Sequence, residues 1–342
     1  SIADNMLDKL KQASQALGEI QEQSQDVEDI HSTFMTVSLQ LLEIKENIEA
    51  LVFSPVEEVI YWTEINPQYQ RLTLHAAPLH IGHLMEQHIW HEKNAAILTS
   101  ATLTTAGSFD YLRERLHAVD ADEITVGSPF DYENAACIFL PTNIPEPNDR
   151  RGHQNTVDKT IIDVAKETRG RMLVLFTSYA QLQATSRAIK GRLQEDNIQV
   201  FEQGQGASPH MLLNAFKTSE AAVLLGTRAF WEGVDVPGDA LSVLLIVKLP
   251  FDVPSDPIIA ARSETFEQPF FQYTIPEAIL RFRQGFGRLI RTKSDRGIVI
   301  VLDKRVSTKQ YGKAFIDSLP PCTIKEAAIQ EAPQTAVSWL GL

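Results

Sequence analysis

The amino-acid sequence predicts an α/β fold in which a mostly parallel sheet carries helices on both faces. One observation behind this prediction is the alternation between residues 128 and 320, where short apolar runs are separated by longer segments of helical periodicity. A second is that the central apolar runs are continuous, as at 243–247, which is typical of strands buried on both faces. We expect a helical arm at 1–53, a strand-containing piece at 54–120 and the α/β domain at 121–342.

The arm is predicted to be helical because its apolar residues recur in steps of three and four. No Gly or Pro lies between Gly18 and Pro55, and the polar cluster at 24–29 is the expected break. This pattern fits a two-helix antiparallel arm and also a dimeric coiled coil. We favour the arm, and a monomer, because too few heptads repeat in register for a dimer.

The piece at 54–120 is predicted to hold strands at 58–65, 71–76 and 95–99, with a turn at Asn66-Pro67, and a helix at 109–116. In the α/β domain, strands are predicted at 138–140, 172–176, 200–202, 222–225, 242–249 and 298–302. Helices are predicted between them, at 155–168, 180–193, 209–217, 256–266 and 276–289.

Composition narrows the class of protein. The 342 residues contain no apolar run of the about 18 to 20 residues that a membrane span needs, and no signal-peptide pattern at the N-terminus. The two cysteines, Cys137 and Cys322, are too few for a disulfide framework, which favours reduced thiols and a cytoplasmic location. The chain begins with Ser1 instead of Met, from which we expect a processed or excised fragment.

The charge is unevenly distributed. The formal net charge is −13, and residues 1–60 hold twelve acidic and three basic side chains. Residues 281–305 hold eight basic and two acidic side chains instead. Since the protein as a whole is acidic, contact with a nucleic acid requires a shaped site and not a general positive field.

The sequence Gln-Gly-Phe-Gly-Arg-Leu-Ile-Arg at 284–291 is the most informative segment. On a continuous helix Arg288 and Arg291 would share one face, with Gln284 one turn earlier. Guanidiniums pair with phosphate oxygens bidentately, so this set suits a polyphosphate. A solvated basic helix face is the plainer interpretation, but Gly285 and Gly287 weaken a helix and favour close approach to another group.

A second segment, at 226–238, follows a predicted strand directly. Its glycines and the acids Glu232 and Asp235 indicate a site that orders a ligand through backbone amides and carboxylates. Phe230 and Trp231 could stack on bases. The alternative is that both aromatic side chains belong to the core, which adjacent residues rarely share.

Two further segments give weaker signals. At 176–179, Phe-Thr-Ser-Tyr ends a predicted strand and opens a helix, where free N–H groups and hydroxyls bind phosphate readily. Ser178 serves equally well as a plain helix cap. At 99–103, Thr-Ser-Ala-Thr-Leu follows another predicted strand and could relay a change between domains.

Taken in chain order, the four segments resemble motifs III to VI of superfamily 2 helicases. In detail they resemble the motifs of the DinG/XPD family of DNA helicases. Ser-Ala-Thr-Leu at 100–103 resembles motif III, and 175–179 resembles motif IV. Glu-Gly-x-Asp at 232–235 resembles motif V, and 284–291 fits the Gln-x-x-Gly-Arg-x-x-Arg pattern of motif VI. The segment 249–257 is also similar to this family, and the resemblance covers about residues 55–320.

The resemblance implies a RecA-like parallel sheet as the second motor domain, preceded by the end of an arch domain and the last strands of the first motor domain. It implies an ATP-dependent 5′–3′ DNA helicase, associated with DNA repair or replication, that couples ATP hydrolysis to single-strand translocation and unwinding. The residues implied to act on the γ-phosphate are Arg288, Arg291 and Gln284. Those implied to bind ATP or couple its state to DNA are Gly233, Glu232, Asp235, Gly287, Ser100 and Thr102. Those implied to contact DNA are Thr177, Ser178, Tyr179, Thr227, Arg228 and Trp231.

The sequence departs from the family in what it lacks. It has no Gly-x-x-x-x-Gly-Lys-[Ser/Thr] phosphate loop and no Asp-Glu-Ala-His-like run, so the ligands of ATP and Mg²⁺ are expected in a missing N-terminal part. The cysteine quartet of many relatives is also absent, so neither an iron–sulfur cluster nor another metal site is expected within this chain. Truncation explains these departures. The expected partners are single-stranded or forked DNA and the missing first motor domain, with no membrane, and the fragment alone is expected to hydrolyse almost no ATP.

Two alternatives remain open from the sequence. The chain could be a non-catalytic module, derived from a helicase, that binds a nucleic acid or a partner. It could also be an unrelated α/β scaffold dimerised by residues 1–52. An exonuclease is not indicated, because no paired-carboxylate metal cluster appears in the sequence.

Overall fold

The computed structural model describes residues 2–18, 25–67, 69–105, 107–231, 238 and 240–342. The chain divides into two compact units. One unit, here the arm unit, consists of Ser1–Ile81 and Ser255–Arg262, and the other, here the sheet unit, consists of Gly82–Pro254 and Ser263–Leu342.

The arm unit begins with two long helices, α1 at Ile2–Gly18 and α2 at Gln25–Ile48, followed by a π-helical turn at Glu49–Phe53. Lys45 near the end of α2 pairs with Asp4 at the start of α1, so the two helices are antiparallel, as the sequence predicts. The break predicted at 24–29 is wrong over 25–29, because these residues form the first turns of α2; residues 19–24, between the two helices, lie outside the described residues.

A hairpin completes the arm unit. Strands β1 at Val59–Asn66 and β2 at Arg71–Pro78 pair in antiparallel fashion, which confirms both predicted strands. Trp62 and His75 face each other across the pair with stacked rings whose centroids are 4.8 Å apart. The guanidinium of Arg262 donates to the carbonyls of Pro78 and Leu79 at the end of β2.

The sheet unit is built on seven parallel strands in the order β5-β6-β4-β7-β8-β3-β9. They are β3 Ala136–Pro141, β4 Met172–Leu175, β5 Gln199–Glu202, β6 Ala222–Gly226, β7 Val243–Ile246, β8 Gly297–Val301 and β9 Thr323–Ala327. This confirms the six predicted strands of the α/β region. The seventh, β9, was not predicted, because its sequence Thr-Ile-Lys-Glu-Ala mixes polar and apolar residues at a half-exposed sheet edge.

Helices connect these strands. In chain order they are α3 Gly82–Met85, α4 Asp110–Leu116, α5 Tyr132–Ala135, α6 Arg150–Thr168, α7 Tyr179–Glu195, α8 Pro209–Thr218, α9 Arg228–Trp231, α10 Pro257–Ser263, α11 Ile275–Phe286, α12 Arg305–Thr308, α13 Gly312–Asp317 and α14 Ala332–Leu340. Most of α10 belongs to the arm unit. Single π-helical turns lie at Glu86–Trp90 and Phe270–Thr274, and a 3-10 turn lies at Ile329–Glu331.

Two apolar clusters bury the two faces of the sheet. Alternate strand residues such as Leu173 and Leu224 pack with α8, α11 and α13 on one face. The intervening residues, such as Val174 and Val223, pack with α6, α7 and α14 on the other. This is the predicted α/β arrangement, since strands covered on both sides need apolar side chains at every position.

Two predicted elements differ from the structure. Residues 95–99 form no strand within the described part of the chain, and Ile97 is 89% exposed. An apolar run becomes a strand only where a neighbouring strand takes its hydrogen bonds. The helix predicted at 276–289 ends at Phe286, with Gly287 as its C-cap.

No helix in the described ranges is both long enough and apolar enough to cross a bilayer. The two cysteines are free thiols. Burial raises the pKa of Cys137 and of Cys322 to about 11, so both thiols remain protonated at neutral pH. This agrees with the predicted reduced thiols.

Candidate functional site

The carboxyl ends of β4 and β6 lie side by side, because Leu175 and Gly226 are aligned in register. The segments that follow them therefore emerge at one edge of the sheet and bring Thr177 and Thr227 to the same region. Ser178 caps α7, its hydroxyl accepting a hydrogen bond from the amide of Gln181 at 3.4 Å. Its predicted alternative role as a helix cap is thus confirmed.

Gln203 is a residue of this edge that the sequence analysis did not identify. It directly follows β5, and its Oε1 accepts hydrogen bonds from both the amide and the hydroxyl of Thr227, each at 2.8 Å. The amide side chain thereby fixes the loop after β6. Its position immediately after a predicted strand was the available signal.

Tyr179 and Arg228 give this edge its exposed side chains. Tyr179 is partly exposed and lies against Gly204, whose φ is +100° and whose added Cβ would come 1.6 Å from the phenol oxygen. Only glycine fits there, both for its backbone and for the ring. The side chain of Arg228 is 67% exposed and stands 3.9 Å from the carboxylate of Asp252.

Trp231 is not available to stack on a base. Its side chain is 2% exposed, and its indole N–H donates to the carbonyl of Phe176 at 3.3 Å. Phe230 is fully buried beside it, against Gly226. The predicted base contact of Trp231 is therefore wrong in this conformation, because the short α9 turns both aromatic side chains into the core. Of the same segment, Glu232, Gly233 and Asp235 lie outside the described residues.

The two arginines of the segment 284–291 do not share a helix face, because α11 ends before either of them. Arg288 lies in the turn after the helix, and its guanidinium donates to the carbonyl of Trp231 at 3.3 Å. Arg291 lies in the loop that leads into β8. The predicted arrangement of Arg288 and Arg291 on one helix face is therefore wrong.

Asp295 fixes this loop. Its carboxylate accepts hydrogen bonds from the amides of Arg291 and Thr292, both at 2.8 Å, and from the hydroxyl of Thr292 at 2.5 Å. These bonds fix the backbone of the loop between α11 and β8. Burial alone would raise the pKa of Asp295, but the hydrogen bonds from Thr292 and Arg291 hold it below its usual value.

Gly285 permits close packing, as the sequence suggests. A Cβ on Gly285 would come 2.9 Å from the ring of Trp231, so the group that approaches this glycine is a core side chain. Gly287 is the C-cap of α11, where a Cβ would come 3.3 Å from the carbonyl oxygen of Arg283.

Arg283 joins this segment to the loop at 100–104. Its guanidinium donates to the carbonyl and hydroxyl of Thr104 and to the carbonyl of Ala101, the last at 3.1 Å. In that loop the hydroxyl of Ser100 accepts from the amide of Thr102 at 3.2 Å. Burial lowers the pKa of Arg283. Arg283 was not predicted as a site residue, because it lies just before the segment 284–291.

A half-buried charge network lies on the other side of α11. Glu277 accepts from the phenol of Tyr111 at 2.7 Å and from Arg115 at 2.9 Å. Burial opposes the charge of Arg115, but Tyr111 and Glu277 raise its pKa above the usual value. Arg281, one turn after Glu277, pairs with Asp252 at 2.7 Å. Helix α4 is thereby tied to α11.

Known proteins resemble this chain in sequence and in fold. Residues 161–322 match the family described as helicase C-terminal domain. The chain is 38% identical over 298 residues to the 3′-5′ exonuclease DinG of Bacillus subtilis, covering 84% of this chain and 32% of that protein. It is 33% identical over 301 residues to the ATP-dependent DNA helicase YoaA of Haemophilus influenzae, covering 87% and 45%. With the ATP-dependent DNA helicase DinG of Photobacterium profundum it shares 34% identity over 83% of this chain and 43% of that protein.

Among solved structures, that of S. tokodaii Xpd4 has the same fold over 74% of this chain and 49% of that one, with a TM-score of 0.51 and 17% identity. The seven-stranded parallel sheet with helices on both faces is a RecA-like fold, and the match over residues 161–322 gives the helicase class. The chain spans less than half the length of the three relatives named above. Residues 161–322 belong to the helicase C-terminal domain family, and the chain as a whole is similar to the helicases named DinG and YoaA.

Proposed function

We propose that this chain is the C-terminal part of an ATP-dependent DNA helicase and supplies the arginine side of its ATP site. The observation that carries the proposal is the fixed loop after α11. Asp295 holds the backbone of Arg291, and Arg288 is bonded to the carbonyl of Trp231. Both arginines therefore belong to one short, anchored loop, in which each is half-buried.

The donor chemistry of this loop fits a terminal phosphate. A guanidinium remains charged at any physiological pH, and its planar fork pairs with two phosphate oxygens. In the proposed reaction Arg288 and Arg291 stabilise negative charge developing on the transferred phosphoryl group. Gln284 contacts the same group from the last turn of α11, and Gly287 lets the chain approach it. The sequence has no phosphate loop, so the remaining phosphate and Mg²⁺ ligands have to come from another segment.

Arg283 provides a physical route for coupling. Because it binds Thr104 and Ala101, a shift of α11 on nucleotide binding moves the loop that holds Ser100 and Thr102. This gives the two hydroxyl residues a role in relaying nucleotide state. Gly233, Glu232 and Asp235 are proposed to take part in the same coupling.

The edge formed by Thr177, Ser178, Tyr179, Thr227 and Arg228 is the proposed DNA surface. Partly exposed hydroxyls and one exposed guanidinium suit a phosphate backbone, which needs hydrogen-bond donors and positive charge. The proposed substrate is single-stranded or forked DNA, with 5′–3′ movement during repair or replication. We further propose a cytoplasmic monomer that works with a first motor domain.

The test is DNA-stimulated ATP hydrolysis by the full-length protein that contains this chain. Arg288→Ala is expected to lower kcat by about 10³-fold or more, and Arg288→Lys by nearly as much, since lysine keeps the charge but loses the fork. Lys293→Ala is the matched control, because Lys293 is an exposed cation in the same loop. Wild-type turnover in Arg288→Ala would reject the assigned role. The isolated chain is expected to hydrolyse almost no ATP.

A second candidate is a non-catalytic module that binds a nucleic acid or a partner. The absence of a phosphate loop from the sequence favours it. The two candidates differ in one measurement: a binding module would retain single-strand DNA affinity in Arg288→Ala and show no ATP turnover in any form of the protein. Turnover that depends on Arg288 excludes this alternative.

A further inference from the structure

Two histidines and one glutamate converge near the start of the sheet unit, away from the site described above. Nδ1 of His83 lies 3.1 Å from one carboxylate oxygen of Glu86, and Nδ1 of His117 lies 3.3 Å from the other. The two imidazole rings meet at 75° with their centroids 4.8 Å apart. All three potential ligand atoms lie within 4.8 Å of one another.

We propose that His83, Glu86 and His117 bind one divalent transition-metal ion of the zinc type. Tetrahedral zinc at about 2.0 to 2.1 Å from its ligands holds neighbouring ligand atoms about 3.3 Å apart. The two nitrogen-to-oxygen distances match this spacing. Two imidazoles and a carboxylate select zinc-like ions over Mg²⁺ or Ca²⁺, which prefer oxygen ligands alone.

The three side chains are brought together by helices α3 and α4 and by a hydrogen bond beside the cluster. His83 and Glu86 lie one turn apart, on α3 and the π-helical turn that continues it. His117 caps the end of α4 in the left-handed conformation, with φ of +50°. The indole N–H of Trp90 donates to the carbonyl of Leu116 at 2.7 Å, which ties the two elements beside the cluster.

A glycine makes room for the third ligand. A Cβ on Gly82 would come 2.1 Å from the imidazole of His117, so this ring occupies the space that any other residue would fill. The side chain of His83 is 63% exposed, which leaves one side of the cluster open to water as a fourth ligand.

The same helical stretch offers a comparison. His88 and Glu92 also form a pair one turn apart, with 3.9 Å between nitrogen and oxygen. Within the described residues this pair has no third histidine or acid within ligand distance, whereas the pair of His83 and Glu86 has His117. His88 is therefore the matched control for a histidine that does not bind the ion.

The ion would close the loop that runs from α3 to α4. That loop carries Ser100 and Thr102 and the atoms that Arg283 binds. Binding would therefore hold the loop at its base, in addition to the hydrogen bond of Trp90 and the contact of Glu86 with His117 there. This role is structural and does not depend on the proposed ATP site.

The experiment is titration of the metal-free 342-residue chain with Co²⁺, followed by its visible absorption, and displacement of the Co²⁺ by Zn²⁺. We expect one ion per chain with the intense absorption of a four-coordinate site. Glu86→Gln and His83→Asn are each expected to weaken binding by at least about tenfold, and His88→Asn to leave it unchanged.

Folding is checked separately by the thermal unfolding of each metal-free variant. His83 is largely exposed, so His83→Asn removes a ligand without removing packing, and its Tm without metal is expected to equal that of the wild type. Zn²⁺ should raise the Tm of the wild type but not that of His83→Asn. Absence of binding, or equal weakening by His88→Asn, would overturn the assignment.

Discussion

The central strands and the segment at 91–127 contain similar apolar sequences and have opposite environments. Val243–Ile246 of β7 is completely buried, between β4 and β8. In 91–127, Ile97 and Ile124 are more than four-fifths exposed, and neither lies in a strand. The difference teaches that an apolar run becomes a strand through its neighbours, because backbone hydrogen bonds and burial both require them.

The largest expected effect comes from the buried side of this comparison. Phe282→Ala empties a fully buried ring position on α11 and is expected to lower the free energy of unfolding by about 3 to 5 kcal/mol. Urea denaturation measures this change. A loss below about 1 kcal/mol would show that the buried side is less tightly packed than the structure indicates.

Asp295 tests a loop that is held by polar contacts. Asp295→Ala leaves the amides of Arg291 and Thr292 without their acceptor, which is expected to cost about 1 to 3 kcal/mol of unfolding free energy. Asp295→Asn keeps the shape of the side chain and removes only its charge, so it measures the contribution of the charge. We expect both variants to lose less unfolding free energy than Phe282→Ala. Both should retain the circular dichroism of the folded sheet.

The same carboxylate predicts a pH dependence. Its pKa is lowered in the folded protein, so the stability that it contributes is present above its ordinary value near 3.8 and is lost as the pH falls through the folded pKa. We expect acid unfolding curves of the wild type to be steeper below about pH 4 than those of Asp295→Asn. Parallel curves for the two proteins would contradict the assigned hydrogen bonds.

Arg283 tests the join between the two regions. Arg283→Ala removes the donors that hold Thr104 and Ala101, with an expected loss of about 1 kcal/mol. We also expect faster amide hydrogen exchange in residues 98–105 of Arg283→Ala, with unchanged exchange in β7. Arg296→Ala is the control, because Arg296 is an exposed arginine that packs over Trp339 elsewhere in the unit.

The smallest effect belongs to the exposed side. Ile97→Ser is expected to change the free energy of unfolding by less than about 0.5 kcal/mol, because the side chain has little burial to lose. Ile300→Ser in β8 is the buried counterpart and should lose several times more. If both substitutions cost the same, the contrast between the two regions fails.

The sheet could be predicted from the sequence because its central strands, such as β4 and β7, are apolar at every position. The antiparallel helices of the arm and the hairpin at 58–78 also follow from their periodicity. Strand β9 could not be predicted in this way, since it mixes polar and apolar residues at a sheet edge. The end of α11 at Phe286 could not be predicted either, because the helical periodicity of the sequence continues beyond it.

The candidate site was predictable by segment but not by geometry. Strand ends indicate where Thr177 and Thr227 lie, and the same rule would have found Gln203. Burial of Trp231 could not be read from its neighbours in sequence, because it depends on Gly285 in a distant helix. The assigned roles of Arg288 and Arg291 remain predictions.

The position of β3 in the sheet has a consequence for synthesis. This strand is the first of the seven in the chain, yet it lies between β8 and β9, the last two. During translation β3 therefore has neither of its neighbouring strands until residues 297–327 have left the ribosome. Folding of this sheet is therefore expected to finish only after β8 and β9 have been synthesised and to be slow, since these pairings join distant parts of the chain.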